Sequence, residues 1–276
     1  MISVIDLACE ILTCSDPSQK SQLAFKMRDS WESNHRGHIQ RTLSLPPDTP
    51  GRPEVPILVP PKDVPRRRLG SKEGRGALLH AIAHIELNAI DLAADMIARF
   101  SQHEFICKCN HSGSHQISFI SDWTKVCVEE AKHFQLLSNR LDELGVKYGD
   151  FPAHNGLWDA ADNTKGDIAA RLAIAPMVLE ARGLDVTPGM IEKLNRVKDW
   201  ESVKILEIIY QEEVDHVRIG AKWFQRIAEH MSKEPTLFFH ELVEKHFKGR
   251  LKPPFNVQAR TLAGLTEDYY LPLSNC

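Results

Sequence analysis

The sequence predicts an all-α chain organised around a four-helix bundle, with extra helices at its N- and C-terminal ends. Apolar residues recur at alternating steps of three and four in four long segments, which is the period of an amphipathic helix. No stretch shows strand-like alternation, and no repeat of solenoid length occurs. The apolar stripes also carry glutamates and histidines at matching positions, where a plain packing core would have none.

Composition bounds the function. The chain has 276 residues, 42% of them hydrophobic, which is enough for a sizeable core. A net charge of −3 leaves no electrostatic footprint for nucleic acid. No run of about 18 apolar residues is expected, so no membrane span is. Met1 to Asp16 has no basic flank before its apolar stretch and does not read as a signal peptide. Without an export signal, Cys9, Cys14, Cys107, Cys109, Cys127 and Cys276 read as thiols or metal ligands in a reducing cytoplasm.

Residues 1–35 read as helical, with Asp16 as an N-cap and Pro17 at the first helical position. The pattern fades at Asn34 to Gly37. Pro46, Pro47, Pro50, Pro53, Pro56, Pro60, Pro61 and Pro65 then impose an extended linker or surface strap, because proline cannot donate to a helix or sheet ladder. Arg66, Arg67 and Arg68 close it as a solvated charge run, with a phosphate-binding patch as the alternative. Residues 1–70 are therefore expected to pack as helices and strap on a bundle formed by residues 71–276.

The first bundle helix is expected over about residues 76–100, with Ile82, Glu86, Ile90, Ala93 and Ile97 facing inward. A polar, cysteine-bearing loop runs to Ser121. Ser121 or Asp122 would cap a second helix ending near Gly145, with the stripe Trp123, Val126, Glu130, His133, Leu137, Leu141 and Leu144. Residues 146–163 form a crossover. A third helix runs from Thr164 to Arg182, is interrupted by Gly183, and restarts at Thr187-Pro188 as a short helix to about Val197. Asp199 caps a fourth helix reaching about Met231, with the stripe Leu206, Ile209, Glu213, His216, Gly220, Trp223 and Ile227. Another helix at about residues 236–247 precedes an irregular tail.

The chemistry lies in the acids on these stripes. A buried carboxylate is costly unless it is paired or bound to metal. Glu130 and His133, and again Glu213 and His216, stand at i and i+3, about 60° apart around the axis and about 4.5 Å along it, so both members of a pair can reach one interior ion. Two such pairs, with Glu86 and Glu180 from the other helices, make the ligand set of a two-metal carboxylate bundle. Mixed carboxylate and imidazole donors favour iron; manganese or a mixed manganese–iron pair is the alternative, and zinc stays open. Each pair is preceded by a further acid. Glu129 and Glu212 could orient the histidine of the opposite pair, with Asp215 as an alternative, or they could be exposed helix acids. Pro176 and Gly183 bracket Glu180 and predict a distorted helix there, which could re-aim a ligand or be a packing kink.

Other candidates carry less. Glu32 and His35 match the same Glu-x-x-His string but sit at a polar helix end with no facing partner, so they read as solvated. His80 and His84 lie on another face of the helix from Glu86 and read as core or supporting histidines. Cys107, Cys109, His111 and His115 could bind zinc, though Cys-x-Cys is not the usual knuckle spacing, so a polar loop is expected. Tyr210 precedes Glu213 by one turn and reads as packing, with a position facing the site as the alternative.

Five segments carry a resemblance: HAIAHIELNAIDLA (80–93), DWTKVCVEEAKHF (122–134), YGDFPAHNGLWDAA (148–161), RLAIAPMVLEARGLDV (171–186) and YQEEVDHVRIGAKWF (210–224), with PPFNVQARTLAGL (253–265) in the tail. From about residue 70 the chain resembles an uncharacterised bacterial ferritin-like family known only as a domain of unknown function, within the di-iron carboxylate superfamily. The loop 101–120 departs from that family's pattern. The resemblance implies a di-metal site and no particular substrate. More distantly the chain is similar to a tRNA-modifying di-iron monooxygenase that hydroxylates a modified adenosine side chain.

The expected function is an oxygen-activating oxidoreductase of hydroxylase or monooxygenase type. It would act on a small molecule or modified nucleoside, with electrons from a reductase partner or the substrate itself, as a cytoplasmic monomer or small homo-oligomer. Iron handling by a ferroxidase or store, and a metal-binding module without catalysis, are the alternatives.

Overall fold

Short polar side chains fix where the helices begin. The structure is a computed structural model that describes residues 3–33, 45–64, 68–107 and 114–274. The Ser3 hydroxyl accepts from the Ile5 amide (3.3 Å), Asp16 Oδ1 from Gln19 (2.7 Å), Ser71 Oγ from Gly74 (3.0 Å), and Asp199 Oδ1 from Ser202 (3.3 Å). Each satisfies a donor that the first helical turn leaves without a partner. All regular elements among the described residues are helical; only two isolated bridges, Leu58 with Ala153 and Leu251 with Ser274, pair extended backbone. The chain divides into two compact units, Met1–Trp158 and Asp159–Cys276.

The first unit contains α1 (Val4–Thr13), α2 (Pro17–Ser33), a 3₁₀ turn at Pro61–Asp63, α3 (Lys72–Asp95), α4 (Glu104–Cys107) and α5 (Ser114–Glu143). The helical region expected at the N-terminus is two helices: Cys14 adopts extended backbone after α1, and α2 starts at Pro17 behind the expected Asp16 cap. The helix α3 runs on through a π-helical turn, Met96–Phe100. It packs antiparallel on α5: Glu86 meets His133, Ile90 meets Cys127, and Gly76 meets Val146. The expected stripes of both helices are buried, and Ile90, Ile97, Leu137 and Leu141 are fully so, each worth about 1.5–3 kcal/mol relative to exposure. The start of α5 comes earlier than expected because Phe119 and Ile120, also fully buried, extend the stripe by another turn. Gly145 follows α5 at φ 71°, the left-handed conformation expected of a residue just past a helix end.

By length and composition, Lys72–Phe100 could cross a membrane, which the sequence reading did not anticipate. Inside the fold, 78% of its apolar window is buried, as in a core helix. The proline strap is extended, as expected, apart from its 3₁₀ turn. It is tied down where the Gly51 amide donates to Leu12 (2.7 Å) and where Val59 and Ile57 pair with Ala153 (2.8 and 3.1 Å). Pro65, Arg66 and Arg67 lie outside the described residues.

The boundary between the units falls within α6 (Gly156–Asp162). The second unit continues with α7 (Ile168–Ile174), a π-helical turn at Ala175–Glu180, α8 (Ala181–Arg196), α9 (Trp200–His230), α10 (Pro235–His246), α11 (Val257–Leu262) and α12 (Glu267–Tyr270). The expected break at Gly183 and restart at Thr187 do not occur: α8 is continuous, with Pro188 inside it. Pro188 cannot supply an amide to the Leu184 carbonyl one turn back, and the Asn256 side-chain amide donates there instead (3.2 Å). The tail is not merely irregular, because it forms α11 and α12. Asp185, buried, holds it by accepting from Arg260 (2.8 and 2.7 Å) and from the Asn256 amide (2.9 Å). Pro176, in the π turn, lies against Gly220 of α9, where a Cβ would come within 2.4 Å of the proline ring.

Two outcomes are expected. Gly220→Ala forces a methyl into a rigid ring; overpacking of about 1–3 kcal/mol exceeds the helix-propensity gain of about 1 kcal/mol, so chemical denaturation should show a net loss of stability. The second concerns His80, fully buried, which stacks on Tyr148 and accepts at Nε2 from the Gly149 amide (2.9 Å), a bond only the neutral ring can make. Burial pushes its pKa from 6.5 down to about 4. Its contribution is full above pH 6.5 and is lost as pH falls from there through about 4. Thermal melts of His80→Gln should therefore depend less on pH across that window than those of the native chain.

Candidate metal centre

In the first unit, the α3–α5 packing brings three ligand-type side chains together. Glu86 is 4% exposed, and Glu130 and His133 are fully buried. His133 Nδ1 lies 3.1 Å from Glu86 Oε2 and 3.5 Å from Glu130 Oε2. Each of the three offers a ligand atom, and these atoms lie within 4.8 Å of one another. The Glu-x-x-His spacing puts Glu130 and His133 on the same side of α5, and α3 brings Glu86 across to them.

Burial raises the Glu86 carboxyl pKa well above its usual range, and the neighbouring Glu130 raises it further; His133 acts in the opposite direction. Two carboxylates this close in a dry interior cannot both stay ionised without a cation. A divalent ion would relieve both penalties, and two oxygens with one imidazole nitrogen form a donor set suited to iron or manganese. On this chemistry the cluster could hold a metal ion.

In the second unit, α9 carries the other pair: His216 Nδ1 lies 3.6 Å from Glu213 Oε1, with His216 fully buried and Glu213 partly so. Glu180 is the last residue of the π-helical turn and is half-buried, so the distortion expected around it is present. Of the supporting acids, Glu129 lies 3.4 Å from Lys125 one turn back, Asp215 is held by Arg218 one turn on, with Nε at 2.8 Å, and Glu212 is half-buried.

The remaining candidates lie elsewhere. His80 and His84 belong to an aromatic cluster with Tyr148 and Phe151, away from the face of Glu86. The Tyr210 hydroxyl accepts from the Asn256 side chain (2.8 Å). Cys107 is exposed, with its thiol 3.6 Å from the Ser101 carbonyl, and His115 is half-buried. Cys109 and His111 lie outside the described residues, as does His35; Glu32 is exposed.

One group escaped sequence reading. Asp91 and Asp95 are fully buried on α3; Asp91 binds Lys20 and Arg52, and Asp95 binds Arg99 (2.9 Å). The signal was present, since each is a lone acid in an apolar run, but the partners of Asp91 are far away in sequence.

Because Glu86 is raised, its proton is favoured by the fold, so its contribution is greatest below the ordinary value of 4.5 and is lost as pH rises. In chelator-stripped protein, Glu86→Gln should therefore match the native chain in acid and exceed it near neutrality. A gain of the order of 1 kcal/mol, or about 2–4 °C in Tm, is expected in differential melts.

Comparison with known proteins places the chain in a family and leaves its chemistry open. An uncharacterized protein of Haemophilus influenzae is 43% identical over 215 residues, covering 78% of this chain and 73% of the relative. No solved structure matches. Residues 13–271, nearly the whole chain and all the residues described above as ligand-type, match the family described as "Protein of unknown function (DUF455)", and the chain belongs to that family.

Proposed function

We propose that the chain is a ferritin-like four-helix protein whose Glu86, Glu130, His133, Glu180, Glu213 and His216 serve one two-metal centre, with iron as the metal and oxidation of an organic substrate as the reaction. The carrying observation is the twofold occurrence of one device: His133 and His216 are both fully buried, and each has its Nδ1 within 3.6 Å of the glutamate three residues before it. Buried histidine–glutamate pairs of this kind are costly as packing and useful as ligands.

Bound ferrous ions would supply the electrons and open positions needed to activate dioxygen. The chain's own residues have three tasks. Glu86, whose proton the buried site favours, would give it up on loading, and Glu86 and Glu130 would provide negative charge there. His133 and His216 present Nδ1, and their burial keeps water from the donor atoms. The π-helical turn ending at Glu180 lets that carboxylate be aimed independently of the regular helix on either side. A small molecule or modified nucleoside is the substrate class, a reductase the electron donor, and a cytoplasmic monomer or small oligomer the working form.

Metal analysis of protein expressed with ample iron and purified without oxygen should give two metals per chain and a new optical band on exposure to oxygen. His133→Ala and His216→Ala should each lower the metal content by about half and abolish the oxygen reaction, because catalysis uses both ions. His35→Ala, in the look-alike motif, should change neither. Trace metal in the native protein, or metal lost with His35 but kept without His133 and His216, overturns the reading. A shell of a dozen or so subunits in light scattering would favour iron storage instead.

A further inference from the structure

Beneath the proline strap of the first unit lies a cavity of about 320 Å³, at the small end of the roughly 300–1,000 Å³ that ligand pockets span. One wall is apolar, formed by Pro56, Ile57 and Leu58 of the strap. The other is polar, formed by Arg52, His84 and Tyr148, with Glu54 also on the lining. His84 and Glu86 are two residues apart on α3, about 200° around its axis, so this cavity and the carboxylate cluster lie on different faces of the helix.

The polar wall is fixed in place. His84 Nδ1 and the Tyr148 hydroxyl are hydrogen-bonded at 2.8 Å, and His80 stacks on Tyr148 with ring centres 5.2 Å apart. Arg52 Nη2 donates to Asn88 (2.6 Å) and Nη1 lies 2.7 Å from Asp91. These bonds hold the guanidinium plane, while 18% of the Arg52 side chain stays accessible.

Two cationic side chains meet one buried carboxylate at this wall. Lys20 and Arg52 share the single carboxylate of Asp91, at 2.5 and 2.7 Å, and the next acid on α3, Asp95, is taken up by Arg99. Lys20 and Asp91 are buried and neutralise each other, which leaves the positive charge of the partly accessible Arg52 at the cavity wall. The exposed Glu54 on the same lining opposes a ligand of higher negative charge.

We propose that this cavity binds a small organic carboxylate, with its single negative head at Arg52 and its apolar body against Pro56, Ile57 and Leu58. The site is separate from the metal centre and does not depend on metal being bound.

Ligand-detected NMR on the full chain tests this with benzoate, benzyl alcohol and phenyl phosphate as probes. Benzoate should bind at least about tenfold more tightly than the uncharged alcohol, the effect of one charge-assisted hydrogen bond, and more tightly than the phosphate. Arg52→Gln should weaken benzoate by about the same factor. Should that variant fail to fold, Leu58→Trp keeps the charges and fills the cavity, and it should also abolish binding. No benzoate binding to the native chain, equal binding of the alcohol, tighter binding of the phosphate, or unchanged benzoate binding in Leu58→Trp each overturns the proposal.

Discussion

Ionised groups do not remain in a protein interior without partners, and α3 carries three buried acids: Glu86, Asp91 and Asp95. Much of the first unit follows from how each is satisfied. Asp95 is answered locally by Arg99, one turn on. Asp91 draws Lys20 from α2 and Arg52 from the strap, so two distant parts of the chain are tied to the same helix by one carboxylate. Glu86 meets His133, whose ring can offset one negative charge, and the second acid Glu130. In the first two, cationic side chains of the protein answer the carboxylate. The third makes chemical sense around a cation, and this contrast within one helix separates the candidate centre from ordinary buried ion pairs.

The second unit is governed by how prolines are accommodated. Pro176 sits in a π-helical turn and fits because residue 220 of α9 is a glycine. Pro188 leaves the Leu184 carbonyl without its ladder partner, and Asn256 of the tail supplies the donor. The same asparagine bonds Tyr210 through its side chain and Asp185 through its backbone amide, while Arg260 completes the bridge to Asp185. The tail thereby repairs the helix that precedes it. A distorted but repaired helix can hold Glu180 at an orientation a regular one would not give, and such distortions recur at functional sites.

The two facets of α3 bear on function. One carries Glu86 and the other carries His84, with the strap cavity on that side. Side chains about 200° apart on one rigid helix need not communicate, but they are positioned by the same packing against α5. A ligand under the strap and a metal at the acids would each stabilise α3 in its present register, through different side chains and by independent binding equilibria.

Helix positions, stripes and the Glu-x-x-His device were legible because they are local: a 3.6-residue period places Glu130 beside His133 and Glu213 beside His216 whatever the rest of the chain does. Caps at Asp16 and Asp199 were legible for the same reason. The continuity of α8 was not, because glycine and proline are helix breakers only until a partner replaces the missing bond, and Asn256 lies many residues away. Nor were the bond from Lys20 and Arg52 to Asp91, the pairing of His84 with Tyr148, or the cavity they border, since side chains this far apart in the chain meet only once the helices have packed. The sequence by itself determined which residues could act as ligands and on which face of each helix; tertiary structure alone decided which buried charges were matched within the protein and which were not, because that depends on distance in space.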